Sequence, residues 1–215
     1  MISTGISELD ELLGGGIAAS TITDIFGPSG SGKTQIAMQI CVNSLKNGKI
    51  IYQDTTGSFR PERILQLIKA NKLDATLLEN LLVSRVTNIA EQVGYIKKIS
   101  DANPILLVID DITDLFSFEY SRDSNSLEKH VKFMEYMHML SLLSIRQRIP
   151  IIVTNAVRQS DESEIENLVK SISMFTHKKI RLTRNGQKFM AEILPSFDNK
   201  KMLYKITSEG VAATS

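Results

Sequence analysis

The sequence predicts an α/β fold, with a mainly parallel central sheet flanked by helices and a C-terminal antiparallel hairpin extension. Three observations support this prediction. Apolar runs of strand length alternate with segments of helical periodicity as far as Thr154. A glycine-rich stretch, residues 27–34, separates the first such strand from a helix. Beyond Lys178 the apolar period changes to two, and Asn185-Gly186 between two such runs indicates a hairpin turn.

Each predicted strand is a short apolar run, and most are followed by a segment with one apolar helical face. We predict strands at residues 21–26, 50–53, 81–86, 105–110 and 149–154. We predict helices at residues 33–47, 61–71, 89–100 and 126–148. Because the strands are continuously apolar, helices should cover both faces of the sheet. With no linker, repeat or low-complexity tract, we expect residues 1–215 to form one domain.

Composition excludes several classes of protein. The net charge is +1, so no global field attracts the chain to nucleic acid or to a membrane. No apolar run approaches the ~18 residues of a membrane span, and the first residues do not form a secretory signal. Cys41 is the only cysteine, which excludes an internal disulfide, and we expect it to be a buried small hydrophobe. The three histidines lack the spacing of metal ligands, so we expect no zinc site. We expect the protein to be cytoplasmic.

Residues 27–34 match the phosphate-binding loop pattern of Gly, four residues, and Gly-Lys-Ser/Thr. Glycines let the backbone turn its N–H groups toward an anion. Lys33 would add a positive charge for the β- and γ-phosphates, and the Thr34 hydroxyl would hold Mg²⁺. The alternative is a structural glycine-rich turn at a strand–helix junction. The strand before the loop and the helix after it favour the phosphate site.

Two carboxylates end the most apolar predicted strand. Downstream of a phosphate loop, a strand-end aspartate such as Asp110 typically serves the magnesium shell. Without the loop, it would be an ordinary strand-end charge. Asp111 follows directly, and for this residue a solvated strand-end charge and a catalytic role remain equally open.

Several stretches make the chain resemble the RecA/RadA family of strand-exchange recombinases. They are residues 3–17, the loop, residues 54–63, Asp110, and Thr154-Asn155. The block Phe-Arg-Pro-Glu-Arg at residues 59–63 is more specific than the loop, because it separates this family from the related KaiC-type ATPases. The chain begins where the family's ATPase core begins. We therefore expect no N-terminal helical DNA-binding domain and the greatest similarity to the archaeal RadB paralogues.

The resemblance implies a RecA-like P-loop ATPase core that uses ATP and Mg²⁺, binds DNA, and acts in homologous recombination and repair. Arg63 would lie against the adenine ring, since a guanidinium stacks well on an aromatic face. The implied nucleotide-binding residues are Gly27, Pro28, Ser29, Gly30, Ser31, Gly32, Lys33, Thr34, Gln35 and Arg63. The implied magnesium ligands are Thr34 and Asp110.

Two positions depart from the family pattern. The family has a water-orienting glutamate before Gly57, where this chain has Thr56. After Thr154-Asn155 it has a glutamine that senses the γ-phosphate, where this chain has Ala156. A lost base costs ~10²–10⁴ in rate, so we expect ATP binding with weak or absent hydrolysis. Asp111, where the family usually has serine, is a hypothetical surrogate base.

DNA contacts are predicted from charge. The family's second DNA-binding loop corresponds to residues 157–173, which carry a net charge of −2 and have a partly helical pattern through Ile165 and Ile172. The first loop, residues 120–124, offers one arginine and one tyrosine, Arg122 and Tyr120. Residues 177–205 carry a net charge of +6, which indicates either a DNA-contacting stripe or charges that strand alternation places in water. The DNA-binding candidates are Arg158, Lys179, Arg181 and Arg184.

Three functions remain open at this stage. The first is an accessory factor that binds ATP and helps to load or regulate a RadA-type recombinase or another paralogue, or binds DNA with it. The second is a DNA-stimulated ATPase that forms filaments and exchanges strands itself. The third is a KaiC-like signalling ATPase, against which the block at residues 59–63 argues. Thr56 and Ala156 favour the first, and single-stranded DNA is the expected nucleic-acid partner.

Overall fold

The computed structural model describes residues 1–121, 126–159, 164–186, 188–195 and 200–214. Its helices are α1 (Ser7–Leu13), α2 (Lys33–Ser44), α3 (Pro61–Ala70), α4 (Ile89–Ala102), α5 (Asp114–Glu119), α6 (Ser126–Gln147) and α7 (Val169–Ile172). Its strands are β1 (Ile22–Gly27), β2 (Ile50–Asp54), β3 (Leu81–Arg85), β4 (Leu106–Asp110), β5 (Ile151–Gln159), β6 (Glu164–Glu166), β7 (Lys178–Asn185), β8 (Lys188–Leu194), β9 (Lys201–Thr207) and β10 (Gly210–Thr214). Single 3₁₀ segments follow α2 (Leu45–Asn47) and precede β3 (Ala75–Asn80).

The strands form one mixed sheet in the order β10-β9-β8-β7-β1-β5-β4-β2-β3. The six strands from β7 to β3 along this order are parallel. Strands β8, β9 and β10 add to β7 as an antiparallel meander, and β6 pairs antiparallel with β5. The predicted fold class is therefore confirmed, including the antiparallel extension after Lys178.

The central strands are apolar because helices cover both of their faces. Successive residues of β4 alternate between two buried clusters: Leu106 and Val108 pack with α1, α2 and α3, whereas Leu107 and Ile109 pack with α4, α5 and α6. A strand buried on both faces needs no polar alternation, which explains the continuous apolar run in the sequence. Cys41 lies in the first cluster, fully buried as predicted.

The carboxyl ends of the parallel strands meet at one edge of the sheet. Gly27 at the end of β1 is in register with Ala156 of β5, and Asp54 at the end of β2 is in register with Asp110 of β4. Ligands of open parallel sheets bind outside the carboxyl ends of the strands. This edge therefore gathers residues that the sequence places in four separate segments.

The segment after Thr154 differs from the prediction. Strand β5 continues to Gln159 and pairs with β6, so Ile165 lies in a β-hairpin and not in a helix. Among the described residues of positions 157–173, only Val169–Ile172 is helical. Ile165 belongs to β6 and Ile172 to α7, yet their spacing in the sequence is that of one helical face. Periodicity in a single sequence cannot distinguish one helix from two such elements.

Candidate functional site

The glycine-rich loop connects the end of β1 with the start of α2, as the sequence predicts. Lys33, the first residue of α2, donates hydrogen bonds from Nζ to the carbonyl oxygens of Gly27 (2.8 Å) and Pro28 (3.1 Å). Burial lowers the pKa of Lys33, and the nearby carboxylates of Asp111 and Asp110 oppose this shift. The lysine is thus held against the loop backbone, beside the two strand-end aspartates.

The antiparallel extension braces this loop from one side. A Cβ atom at Gly27 would lie 2.3 Å from the carbonyl oxygen of Leu182 in β7, so no larger residue fits there. The Tyr204 hydroxyl of β9 donates a 2.5 Å hydrogen bond to the carbonyl oxygen of Ser31. Tyr204 was not predicted as a site residue, because a lone tyrosine in an alternating strand carries no signal of what it will contact.

Asp110 is the centre of a buried hydrogen-bond cluster. Its carboxylate accepts hydrogen bonds from Thr34 Oγ1 (2.8 Å), from the Tyr52 hydroxyl (2.6 Å) and from Thr154 Oγ1. Burial, followed by the charge of Asp110, raises the pKa of Tyr52, so its hydroxyl remains a donor at neutral pH. The structure thus brings together Thr34 and Asp110, the two predicted magnesium ligands. Hydroxyl and carboxylate oxygens are the donors that Mg²⁺ prefers, so these residues fit that ion.

Asp111 is buried at the same edge, which rules out the alternative of a solvated strand-end charge. Its Oδ1 accepts hydrogen bonds from the backbone nitrogen (2.8 Å) and Oγ1 (3.0 Å) of Thr113. Burial raises the pKa of Asp111 to about 7; the Thr113 bonds oppose the shift and the neighbouring Asp110 adds to it. A carboxyl that titrates near neutral pH has the acidity expected of a general base.

A cleft of about 540 Å³ opens over these residues. This volume lies within the range of small-ligand sites. The two family departures, Thr56 and Ala156, both line it. Thr56 is exposed, and its hydroxyl donates to Ser58 Oγ at 2.7 Å. Asp114, at the start of α5, also lines the cleft and was not predicted, because nothing in its local sequence marks it.

Arg63 of α3 lies at the junction of the loop helix with the antiparallel extension. Its guanidinium donates to Gln35 Oε1 (2.6 Å) and to the carbonyl oxygens of Thr207 (2.7 Å) and Ser208 (2.8 Å). These bonds fix the orientation of the guanidinium. Gln35, which also lines the cleft, positions this arginine.

Comparisons with known proteins agree with this geometry. The sequence profile of the Rad51 family matches residues 1–213. The chain belongs to the Rad51 family. The resemblance to RecA/RadA recombinases is thereby confirmed, and ATPases of this family use ATP with Mg²⁺.

Similar proteins of this Rad51 family come from archaea and are named "DNA repair and recombination protein". RadA of Cenarchaeum symbiosum (strain A) is 37% identical over 76% of this chain, and the alignment spans 44% of that RadA. RadA of Methanococcus voltae is 30% identical over 98% of this chain and 75% of its own length. RadB of Thermococcus onnurineus (strain NA1) is 36% identical over 76% of this chain and 72% of its own length.

Lys179, one of the predicted DNA-contacting residues, is largely buried in this Rad51-family chain. Its side chain is only 12% exposed; Nζ forms an ion pair with Glu166 and lies 3.7 Å from the buried Asp24. Burial and the proximity of Glu166 raise the pKa of Asp24 well above its usual range. Strand alternation alone placed Lys179 with the exposed arginines, but β6 covers this position.

The other DNA-binding candidates lie at the surface. Arg181 is half-exposed and 3.9 Å from Glu192, and Arg158 is exposed at the end of β5. Arg184 stacks on Phe189, with 5.5 Å from its guanidinium carbon to the ring centroid, and it closely approaches Gly30 of the loop. Arg122, named for the first predicted DNA-binding loop, lies outside the described residues, as do Asp161, Glu162 and Asp198, which entered the predicted charge balances. No helix in the described part of the chain is both long and apolar enough to span a membrane.

Proposed function

We propose that this chain binds ATP with Mg²⁺ in the cleft and serves as an accessory factor in homologous recombination and DNA repair. In this proposal the backbone of residues 27–34 and Lys33 hold the phosphates. Thr34 and Asp110 would hold the magnesium ion, and Arg63 would stack on the base. When bound, Mg²⁺ neutralises phosphate charge. The donor set of the cleft supports this assignment.

One observation supports an accessory role in particular. The cleft retains its binding groups, with Thr34 hydrogen-bonded to Asp110, while Thr56 and Ala156 line it without an ionisable or amide group. A threonine hydroxyl cannot accept a proton from water at neutral pH, and alanine cannot contact a γ-phosphate by a hydrogen bond. Hydrolysis should therefore be slowed by ~10²–10⁴, while binding is retained.

The proposed partners follow from the relatives. Proteins similar over most of this chain are named for DNA repair and recombination, and one is a RadB. We infer DNA, preferably single-stranded, as one partner, and a RadA-type recombinase or another paralogue as the second. A protein that binds ATP without rapid turnover can hold one conformation for such a partner as long as the nucleotide stays bound.

Nucleotide binding and turnover, measured together, test this function. We expect isothermal titration calorimetry to detect Mg²⁺-dependent ATP binding that Lys33→Ala weakens strongly. In the same preparation, phosphate release should be slow and single-stranded DNA should not accelerate it. Turnover that DNA stimulates many-fold would contradict the accessory role. Absence of ATP binding would contradict the site itself.

A second candidate is a DNA-stimulated ATPase that forms filaments and exchanges strands. The buried Asp111 favours it, because this carboxyl lines the cleft and its raised pKa of about 7 suits a general base. Under this alternative, Asp111→Ala would abolish a rapid turnover already present in the unmodified protein. The KaiC-like alternative is not retained, since the Rad51 family profile matches residues 1–213.

A further inference from the structure

A buried acid interrupts the apolar strand β1. Asp24 is fully buried, and it is in register with Lys179 of β7 on one side and with Val153 of β5 on the other. Neither of its carboxylate oxygens receives a hydrogen bond from a described residue. An ionised carboxylate without donors is costly in an apolar interior, so the neutral form of this acid is favoured.

Two acids share one cation at this position. Lys179 Nζ forms an ion pair with Glu166 of β6 and lies 3.7 Å from Asp24 Oδ2. It also donates a 2.9 Å hydrogen bond to Ser173 Oγ at the end of α7. The three charged side chains are at most 12% exposed. With both acids ionised, the cluster would carry a net charge of −1 in a buried place, which desolvation opposes.

The hydrogen bonds indicate which of the two acids holds a proton. Glu166 accepts from Lys179 Nζ and from Asn155 Nδ2 (3.0 Å), and such donors stabilise an ionised carboxylate. Burial, followed by a hydrogen bond with Glu166, raises the pKa of Asp24 well above its usual range. A protonated Asp24 donates to Glu166, and the cluster is then neutral. Two carboxyl groups in contact commonly share one proton in this way.

Other titratable groups lie around this cluster. The charge of Asp111, which follows β4, also disfavours ionisation of Asp24. His177, just before β7, accepts a hydrogen bond at Nδ1 from a backbone nitrogen of β1, and His130 of α6 is hydrogen-bonded to α7. The charged residues of β5 and α7 are exposed: Arg158 and Lys170.

We propose that the proton shared by Asp24 and Glu166 holds the β5–β6 hairpin against β1 and β7, and that the hairpin opens as the pH rises. When Asp24 ionises, the two carboxylates repel each other, and one lysine cannot neutralise both. Glu166 ends β6 and pairs with Val157 of β5, which lines the nucleotide cleft. The proton thus controls the order of one wall of the cleft, whether or not the cleft binds ATP.

Hydrogen exchange at several pH values tests this proposal. The closed hairpin holds a proton that the open hairpin releases, so opening becomes more favourable as the pH rises above about 4, the ordinary pKa of a carboxyl group. Nuclear magnetic resonance measures the protection of the hairpin amides, residues 157–159 and 164–166, corrected for the intrinsic dependence of exchange on pH. The amides of β4 report opening of the whole fold.

We expect the protection of the hairpin amides to fall by about tenfold or more between pH 5 and pH 8 in the unmodified chain. Asp24→Asn is neutral at every pH, and its amide can still donate to Glu166, so protection should change by less than about twofold over this range. The matched control, Glu164→Gln, removes an exposed carboxylate of the same strand and should behave like the unmodified chain.

Several results would overturn the proposal. One is hairpin protection that does not depend on pH in the unmodified chain, and another is a dependence that persists in Asp24→Asn. A third is exchange as slow as that of β4 at every pH, because the hairpin would then open only with the whole fold.

A second variant keeps the test decisive if Asp24→Asn does not fold. Glu166→Gln leaves Asp24 to pair with Lys179 alone, so the pH dependence between pH 5 and pH 8 should again be lost. Its persistence would assign the titration to another group, such as His177, and the proposal would be wrong. The measurement uses no nucleotide, so a failure of ATP binding would not affect its outcome.

Discussion

At the scale of single residues, the cleft combines groups suited to holding a nucleotide with two positions that lack reactive groups. Asp110 receives hydrogen bonds from Thr34, Tyr52 and Thr154, a set that fixes its carboxylate. Thr56 and Ala156 line the same cleft without a group that titrates near neutral pH. Binding and bond cleavage therefore depend on different residues and can be tested separately.

Restoring the missing carboxylate at Thr56 tests whether the rest of the site is competent. Since a positioned general base contributes ~10²–10⁴ in rate, Thr56→Glu should raise steady-state ATP turnover by a factor within that range. Thr56→Gln is the control, because it has similar size and no basic carboxylate. Phosphate release gives the rate. An unchanged rate in Thr56→Glu, with rapid wild-type turnover abolished by Asp111→Ala, would instead identify Asp111 as the base.

Asp111 should make stability depend on pH. Burial raises its folded-state pKa to about 7, so between about pH 4 and pH 7 the folded chain retains a proton that the unfolded chain has released. Its contribution to stability is thus largest at low pH and is lost as the pH rises toward 7. Asn in place of Asp111 keeps an oxygen acceptor for Thr113 and carries no charge.

The free energy of unfolding of Asp111→Asn should therefore exceed that of the unmodified chain by a few kcal/mol at pH 8, given about 1.4 kcal/mol per pKa unit. The free energies of unfolding of the two proteins should converge as the pH falls toward 4. Urea unfolding at several pH values measures this difference. A constant difference across the range would mean that Asp111 has an ordinary pKa in the folded protein.

At the scale of elements, the β5–β6 hairpin covers the start of β7 and buries Lys179 of that strand. Glu166 of β6 binds Lys179 of β7 and also accepts a 3.0 Å hydrogen bond from Asn155 Nδ2 of β5. Asn155 Oδ1 in turn lies 2.8 Å from Thr113 Oγ1, whose single hydrogen it shares with Asp111 Oδ1. The hairpin is thus joined through buried polar contacts to the edge of the sheet that carries the cleft.

Two neighbouring basic residues of β7 should consequently differ in their effect on stability. Lys179→Ala leaves Glu166 buried without its cation and should lower the free energy of unfolding by about 3–5 kcal/mol. Arg181→Ala removes a half-exposed group and should change it by no more than about 0.5 kcal/mol. Chemical denaturation compares them. Equal, small effects would show that Lys179 is solvated and available to a ligand.

At the scale of the whole molecule, ATP binding should stabilise the fold through linkage. A ligand that binds only the folded state adds about 2.7 kcal/mol at a concentration one hundred times its Kd. We therefore expect ATP with Mg²⁺ to raise the melting temperature, and EDTA to remove most of the increase. Lys33→Ala should show little increase under the same conditions. An equal increase in that variant would place the nucleotide elsewhere.

The order of the elements was predictable because it depends on local patterns. Apolar runs, helical periodicity and the Asn185-Gly186 turn predict the parallel core and its antiparallel extension, which the structure confirms. The β5–β6 pair after Thr154 was not predicted, because the apolar residues of this segment have the spacing of a helical face. Which strands pair depends on the tertiary fold, and the local patterns of a single sequence do not show it.

The sequence by itself determined the phosphate loop, the strand-end aspartates and the two departures at Thr56 and Ala156, since each depends on residue type and local spacing. Only the tertiary structure decided which charges are exposed. It buried Asp111 and paired Lys179 with Glu166. The physical reason is that solvation and charge pairing depend on distances between segments, which sequence separation does not specify.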